Sequence, residues 1–238
     1  MQAVILVGGK GTRLSFVLEK MNLPKPMVPV LGKPFLEYLL SMLKKKGVRN
    51  FIFCTGHQED KIKEYFGDGK NFGIGIRYSH EEYPLYSAGA LKQAEELLED
   101  DFLVINGDNY HDIDFSALFS FHKNSGSSIT IATTTPSKIT EGMSAHIFSE
   151  NNVVREYYGK ENNSKKNFAI TGTFVVNKKV LEELQKGTAI SLENDLIPEY
   201  IKKMEVFSFN GEGYYLDIGT PERYEKFIED VRAGIISL

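Results

Sequence analysis

Two cationic side chains near the start of the chain lie in segments that are suited to holding phosphate. Arg13 follows the glycine-rich stretch of residues 8–12, which reads GGKGT. Glycine lets the backbone approach a ligand closely and adopt φ > 0, and backbone N–H groups and a guanidinium both bind anionic oxygens. Lys25 lies between Pro24 and Pro26, and because proline fixes φ, its ammonium group stands on a stiff segment that can be aimed. These residues predict a site that holds polyphosphate.

Two aspartates stand where predicted strands end. Asp108 follows the apolar run 102–106 through Gly107, and Asp217 follows the run 214–216. Open α/β sheets bind ligands at the carboxyl ends of their strands, and carboxylate oxygens are hard ligands suited to Mg²⁺. Two such carboxylates at neighbouring strand ends could share one cation with bound phosphates. Taken alone, Asp108 is better explained as an ordinary turn residue.

The elements that must position these side chains alternate between strand and helix in the first half of the chain. Residues 3–7 are apolar and β-branched and predict a buried strand directly before the glycines. The order of strands and helices predicts an α/β protein, a Rossmann-like three-layer α/β/α fold with a mainly parallel central sheet. Further strands are predicted at 51–55, 75–79 and 102–106, with helices at 35–43, 58–66 and 88–98.

The second half has a different pattern, with more strands and longer polar connections. Residues 150–152 predict the turn of a hairpin, and Gly172 interrupts a predicted strand. Thr220 and Pro221 are typical of the cap and first residue of a helix. Strands are predicted at 127–134, 143–149, 153–158, 169–176, 206–209 and 214–216, with helices at 178–184, 192–202 and 220–231.

Composition excludes several classes of protein. The chain has 238 residues, of which 42% are apolar and 25% charged, as in ordinary globular proteins. A formal charge of -4 provides no basic face, so we expect no nucleic-acid partner and no anionic membrane surface as a partner. The single cysteine, Cys54, lies in an apolar strand and excludes an internal disulfide; we expect a buried thiol and a cytoplasmic protein. The first residues lack a signal-peptide pattern, and no apolar run approaches membrane-spanning length.

Two well-known phosphate-binding motifs do not fit the glycine-rich stretch. A Walker A loop requires Lys after its last glycine, whereas Gly11 is followed by Thr12. A dinucleotide-binding fingerprint starting at Gly9 requires a third glycine where Leu14 stands. An NTPase of the P-loop class and a NAD-dependent enzyme are therefore both disfavoured.

The motifs together resemble a known enzyme family. The segments GGKGTRL at 8–14 and PKPM at 24–27 are similar to the N-terminal motif of sugar-1-phosphate nucleotidylyltransferases, GGxGTRLxPxTxxxPKPLxP. The polar residue after Leu14 and the form PKPM are similar to the heptose-1-phosphate guanylyltransferase and glucose-1-phosphate cytidylyltransferase branches. NGD at 106–108 and YLDIGTP at 215–221 resemble the segments that carry the family's metal carboxylates. The resemblance covers about the whole chain.

The resemblance also assigns the nucleotide-binding residues. PLYSAGAL at 84–91 resembles the family's PLGTAGAL, which wraps the nucleobase, with Tyr86 in place of a glycine. Tyr86 either stacks on the base or indicates a shifted loop. Glu81 precedes this segment, although Glu82 could take its role, and a carboxylate accepts the adjacent N1–H and N2–H₂ donors of guanine. GTP is therefore ranked first, CTP second, then UTP and dTTP. The nucleotide-binding set is Leu6, Gly8, Gly9, Gly11, Thr12, Arg13, Glu81, Tyr86, Ser87 and Asp108.

Three residues of the second half match the family's sugar-phosphate site. SLEND at 191–195 resembles SLExD, in which the glutamate, here Glu193, receives sugar hydroxyls. Without the resemblance, a first-turn glutamate that serves the helix dipole would be the better interpretation. Gly172 matches the glycine of the family's NxGxY strand, and Lys160 lies where the family has a Glu-Lys pair, of which only the lysine is present.

The resemblance implies transfer of a nucleotidyl group from a nucleoside triphosphate to a sugar 1-phosphate, most simply guanylyl transfer to a heptose or hexose 1-phosphate. Arg13 and Lys25 would be the catalytic cations, and Asp108 and Asp217 would hold Mg²⁺. Cytidylyl, thymidylyl or uridylyl transfer remains open, as does a non-catalytic binding module. Retention of all four charged residues argues against that module. We expect one domain over 1–238, with a nucleotide-binding half to about residue 115 and a sugar-phosphate-binding half after it; an oligomer is possible.

Overall fold

The computed structural model describes residues 1–9, 22–135, 145–159 and 165–238. The strands are β1 Gln2–Leu6, β2 Pro29–Val30, β3 Lys33–Pro34, β4 Asn50–Thr55, β5 Gly75–His80, β6 Asp101–Asn106, β7 Asn109–His111, β8 Ile129–Thr134, β9 His146–Glu150, β10 Val153–Gly159, β11 Phe168–Asn177, β12 Val206–Asn210 and β13 Tyr215–Asp217. The α-helices are α1 Phe35–Lys45, α2 Glu59–Phe66, α3 Tyr86–Gln93, α4 Phe115–Ser125, α5 Ile197–Lys202 and α6 Pro221–Arg232.

Nine of these strands form one sheet in the order β5-β4-β1-β6-β11-β8-β12-β10-β9. β1 is parallel to both β4 and β6, with Leu6 opposite Cys54 on one side and Asn106 on the other. The carboxyl ends of these strands therefore meet at one edge of the sheet. Beyond β6 the sheet is mixed, since β11 is antiparallel to β6 and β8, whereas β12 is parallel to β8. The α/β class is confirmed, with parallel pairing concentrated in the first half.

Helices cover both faces of the sheet. Successive side chains of a strand point to opposite faces, and Ile5 accordingly packs in one apolar core while Val4 packs in another. The core around Ile5 includes residues of α1, α2, α4 and α6, and the core around Val4 includes residues of α3 and α5. The predicted three-layer arrangement follows from this alternation.

Three helix predictions differ from the structure, and one helix was missed. The predicted helix 88–98 is α3, which ends at Gln93, followed by a 3₁₀ turn, Glu95–Leu97. The predicted helix 178–184 is only a 3₁₀ turn, Lys178–Leu181, and the predicted helix 192–202 is a π-helical turn, Leu192–Leu196, followed by α5. Pro198 has no N–H to donate and its ring crowds the preceding turn, which accounts for a wider turn before it. Helix α4 was not predicted. No helix in the described ranges is long and apolar enough to cross a membrane.

A small antiparallel ribbon of two strands, β7 and β13, lies outside the nine-stranded sheet. β7 pairs with β13, so that Asp217 lies opposite Asn109. The ribbon follows directly on β6, at the edge of the sheet where the strands end. The division of the chain at about residue 115 stays a prediction, because strands from both sides of that point share the nine-stranded sheet.

Candidate functional site

A cleft of about 690 Å³ opens at the carboxyl ends of β1 and β6. It brings together many of the residues that the motifs predicted for nucleotide binding and catalysis. Those lining the cleft are Leu6, Gly8, Gly9, Lys25, Glu81, Tyr86, Ser87 and Asp108. Four predicted residues, Gly11, Thr12, Arg13 and Lys160, lie outside the described residues. The described part of the cleft therefore contains residues of the segment 81–87, called the base-side loop below, and one of the two predicted catalytic cations.

Gly8 and Gly9, the two described glycines after β1, do not have a left-handed backbone conformation. A Cβ placed on Gly8 would lie 2.7 Å from Oε1 of Glu81, which is closer than real Cβ atoms come to any heavy atom. Of the two properties of glycine, close approach is the one that matters at Gly8, because the Glu81 carboxylate packs against it.

Glu81 is the acidic residue of the base-side loop that enters the cleft. Its Oε2 accepts a hydrogen bond from the Leu85 amide (3.3 Å), and burial raises the pKa of its carboxyl above the usual value. Glu82 is exposed and does not line the cleft. Of the two alternatives left open by the sequence, the structure favours Glu81.

Tyr86 occupies the place of the family's glycine with a backbone that glycine would adopt without strain. Its φ is +57° and its side chain is 66% exposed, although it lines the cleft. A non-glycine residue in the left-handed region is strained by about 1–2 kcal/mol. The loop thus keeps a glycine-like conformation while carrying an aromatic ring at the rim of the cleft.

Lys25 is held by the prolines on either side of it. Residues Lys25–Met27 form a 3₁₀ turn after an extended Pro24, and the Met27 amide donates to the Pro24 carbonyl (2.8 Å). The Lys25 side chain is only 9% exposed, and its ammonium group forms an ion pair with the Asp108 carboxylate. Lys25, predicted as a catalytic cation, and Asp108, predicted as a metal ligand, are therefore in direct contact in the cleft.

Asp217 lies beside Asp108 in the backbone but has a partner of its own. The Ile218 amide donates to the Asp108 carbonyl (3.0 Å), which fixes the two segments next to each other. Oδ1 of Asp217 accepts from the Gly219 amide (2.7 Å) and from Nη2 of Arg223 (2.7 Å). Sequence reasoning missed Arg223, although its place in the first turn of α6 was a usable signal. Within the described residues, no group of three or more His, Cys, Asp or Glu could hold a metal ion.

Gly172 makes room for two asparagines. It lies at an irregularity of β11 with φ +69°, and a Cβ there would come within 2.2 Å of Asn109 Nδ2 and 2.6 Å of Asn106 Nδ2. Asn106 lines the cleft, whereas Gly172 does not. The sequence had drawn attention to Asn106 only as part of the segment NGD, and its amide is a cleft residue that the motifs did not assign.

Glu193 lies on the π-helical turn Leu192–Leu196. Ser191 begins this turn: its Oγ accepts from the Asn194 amide (3.1 Å), and its own amide donates to Asp195 Oδ2 (2.7 Å). Glu193 is half-buried, and its charge adds to the burial that raises the pKa of Tyr157. Glu193 does not line the described cleft, so the structure brings the described members of the nucleotide-binding set together and leaves Glu193 and Gly172 outside the cleft.

His111 lies on β7, the strand that begins directly after Asp108 and pairs with β13. It is 2% exposed, neither ring nitrogen has a hydrogen-bond partner, and its ring packs edge-on against Tyr215 with centroids 5.5 Å apart. Burial lowers the pKa of His111 to about 3. This histidine is therefore neutral at physiological pH and fills space beside the site.

Comparison with known proteins gives a consistent result. The sequence profile of the nucleotidyl transferase family matches residues 2–234. D-glycero-alpha-D-manno-heptose 1-phosphate guanylyltransferase from Aneurinibacillus thermoaerophilus is 34% identical over 95% of this chain and 96% of its own. The enzyme of the same name from Campylobacter jejuni is 32% identical over 96% and 99%. The crystal structure of HddC from Yersinia pseudotuberculosis is similar with a TM-score of 0.82 and 28% identity, over 97% of this chain and 99% of that one.

HddC has also been solved in a complex with GMP-PN, and that structure matches this chain with a TM-score of 0.80. The fold, the motifs in chain order and the near-complete coverage all agree with the family that the sequence resembles. The protein is an enzyme that belongs to the nucleotidyl transferase family.

Proposed function

We propose that the protein transfers a guanylyl group from GTP to the phosphate of a heptose or hexose 1-phosphate and releases diphosphate. The observation that carries this proposal is the half-buried carboxylate of Glu81 in the same cleft as the Lys25–Asp108 pair. The cleft has an acceptor suited to a base, Glu81, at what we propose as its base end, and charges suited to phosphate, Lys25 and Asp108, at its proposed phosphate end. The names of the two full-length relatives and the GMP-PN complex of HddC support the choice of guanine.

The base end favours guanine through the hydrogen-bonding chemistry of Glu81. An ionised carboxylate only accepts hydrogen bonds, and guanine presents two adjacent donors, N1–H and N2–H₂. Uracil and thymine present one N–H between two carbonyls, which would repel the carboxylate, and cytosine offers one amino donor beside acceptors. CTP is therefore the second candidate. We propose that the ring of Tyr86, at the rim of the cleft, stacks on the base.

The phosphate end is suited to charge neutralisation. An oxygen of the sugar phosphate attacks the α-phosphorus, the bond to the departing diphosphate breaks, and the electron pair leaves with the diphosphate. A phosphate monoester is already ionised near neutral pH, so the attack requires no general base, and catalysis consists of positioning and charge stabilisation. Lys25 has three N–H donors and can bind phosphate while it keeps Asp108. Arg13, outside the described residues, is proposed to hold the departing phosphates.

The acidic residues fit a magnesium ion that arrives with the nucleotide. Asp108 and Asp217 offer hard oxygen ligands on adjacent backbone segments, with Oδ2 of Asp217 left for this role because Oδ1 accepts from Arg223. Each carboxylate already faces a cation, Lys25 or Arg223, so the described site has little surplus negative charge for a free ion. Bound Mg²⁺ would neutralise charge on the phosphates.

On the sugar side we propose that Glu193 accepts hydrogen bonds from sugar hydroxyls, that Gly172 belongs to the same sugar-phosphate site, and that Lys160 binds the sugar phosphate. Glu193 is half-buried on a turn whose first residues are fixed by Ser191 and Asp195. A carboxylate can accept two hydroxyl hydrogen bonds at once, which suits a sugar better than a phosphate.

A competition assay tests the proposal. The purified protein is incubated with equimolar GTP, CTP, UTP and dTTP, Mg²⁺ and a panel of sugar 1-phosphates, and the products are identified by mass spectrometry. We expect the GDP-sugar to dominate. Glu81→Gln should lower kcat/KM for GTP by about 10- to 100-fold, the loss of about 1–3 kcal/mol, because its NH₂ group faces the guanine donors.

Glu82→Gln is the matched control, since Glu82 is exposed and its carboxylate lies outside the cleft; it should leave nucleotide preference unchanged. A clear preference for UTP or dTTP, or a loss of GTP use in Glu82→Gln alone, would contradict the assignment of the base end.

A further inference from the structure

Two amides of the first turn of helix α3, those of Ala88 and Gly89, are bonded to the segment 187–192. The first amides of a helix lack partners within the helix and commonly bind anions. Here the amides of Ala88 and Gly89 both donate to the carbonyl of Ile190 (2.9 and 3.0 Å). In return, the Ile190 amide donates to the Leu85 carbonyl (3.0 Å). A distant piece of chain therefore caps this helix where a phosphate could otherwise bind.

The contact between α3 and this segment is a direct approach of backbone to backbone. A Cβ on Gly89 would lie 2.4 Å from the carbonyl oxygen of Thr188, so any side chain larger than hydrogen would push the segment away. Tyr83, four residues before Ser87, approaches the same segment: its Oη lies 3.2 Å from the position of a Cβ on Gly187. The base-side loop and the segment 187–192 therefore pack as one unit.

The side chain of Ser87 forms a hydrogen bond that joins the base-side loop to the segment 187–192. Its Oγ accepts a hydrogen bond from the Leu192 amide (2.8 Å). Leu192 is buried, and it is the first residue of the π-helical turn, the next residue of which is Glu193. A hydroxyl on the nucleotide side of the cleft thus fixes the start of the turn that presents Glu193.

We propose that Ser87, which also lines the nucleotide cleft, is a positioning residue for the sugar side of the site: through the Leu192 amide it holds Glu193 in place. This rests on the proposed function only in assigning the sugar to Glu193. Ile190 and Leu192 both form hydrogen bonds with residues at the start of α3, so the segment is tied to that helix at two points.

Steady-state kinetics of Ser87→Ala and Ser87→Thr test this role. Ser87→Ala should raise KM for the sugar 1-phosphate about five- to tenfold, the equivalent of about 1–1.4 kcal/mol, and this increase should exceed any change in KM for GTP. Ser87→Thr keeps the hydroxyl and should restore the wild-type KM for the sugar phosphate. Ser116→Ala, at an exposed serine of α4, is the control. A rise in KM for GTP without a rise for the sugar phosphate would overturn the proposal, as would no change in either.

Hydrogen exchange separates this proposal from the proposed function. In Ser87→Ala the peptide that contains residues 187–195 should exchange faster than in the wild type, and Ser87→Thr should restore its protection. Unchanged protection in Ser87→Ala overturns the proposal even if guanylyl transfer is established. If the wild type transfers no guanylyl group, the proposed function fails while the exchange measurement still decides whether Ser87 holds this segment.

Discussion

Replacing Tyr86 with glycine should make the protein more stable and a poorer enzyme. Tyr86 holds φ at +57° and its side chain is 66% exposed, so glycine removes strain while little buried contact is lost. The strain is about 1–2 kcal/mol, and the greater freedom of glycine in the unfolded chain offsets about 0.5–1 kcal/mol of the gain. A net increase of about 0.5–1 kcal/mol in unfolding free energy corresponds to a rise in Tm of about 1–4 °C.

The loss of activity comes from the ring. An aromatic stacking contact is worth about 0.5–1.5 kcal/mol, so without the ring KM for GTP should rise about two- to tenfold. Tyr86→Phe keeps both ring and strain and should match the wild type in both respects. Tyr86→Ala keeps the strain and loses the ring, so its KM should rise without the gain in Tm.

Thermal unfolding and steady-state kinetics on the four proteins measure both effects. The backbone argument is refuted if Tyr86→Gly lowers Tm or if Tyr86→Ala gains as much as Tyr86→Gly. The stacking argument is refuted if KM for GTP stays at the wild-type value in both the glycine and the alanine variants. The two halves of the prediction can therefore fail separately.

Three further predictions concern charge. Lys25→Ala should lower kcat about 10²–10³-fold in a diphosphate-release assay, whereas Lys33→Ala, in an exposed pair with Glu37, should not; a near wild-type rate for Lys25→Ala would remove it from catalysis. Asp108→Asn and Asp217→Asn should both raise the Mg²⁺ concentration needed for half-maximal rate, and both should lower Tm because each loses an ion pair, with Lys25 or with Arg223; identical magnesium titrations would contradict the metal role. Because the pKa of His111 falls from 6.5 to about 3 on folding, the unfolded chain binds its proton more readily. Unfolding free energy should therefore decrease as pH falls below 6.5, by about 2 kcal/mol near pH 5; denaturant titrations of His111→Gln should lack this part of the pH dependence, and an unchanged slope would refute it.

Local hydrogen bonding made some elements predictable from sequence. Thr220 caps α6 through the Arg223 amide, and Pro221 begins the helix, because both preferences depend on residues within one turn. The hairpin at Asn151 and Asn152, both with positive φ, is predictable for the same reason. Helix α4 had comparable signals, Asp114 as its cap and Gly126 at its end, but its apolar face was not recognised.

The motifs predicted which residues belong to the site, but not which of those residues contact each other. The motifs marked Lys25 and Asp108, yet nothing local indicates that residues 83 positions apart form an ion pair. The cover of α3 by residue Ile190 depends on tertiary packing in the same way, as does the φ of Tyr86, which sequence preference alone would reject. Such features depend on the whole fold, so residue identity and spacing do not encode them separately.

The position of β12 in the sheet governs the order in which the chain can complete its fold. β12 lies between β8 and β10 and pairs with both, although it follows them by more than forty residues in the sequence. During synthesis, one edge of β8 therefore has no partner strand until Val206–Asn210 has been made. Residues Ile129–Thr134 are β-branched apart from Ala132 and carry no charge, which is the composition of segments that pair with other chains. A chain that stops before Val206 would display this edge, and its aggregation relative to the complete chain would measure how much β12 protects the growing protein.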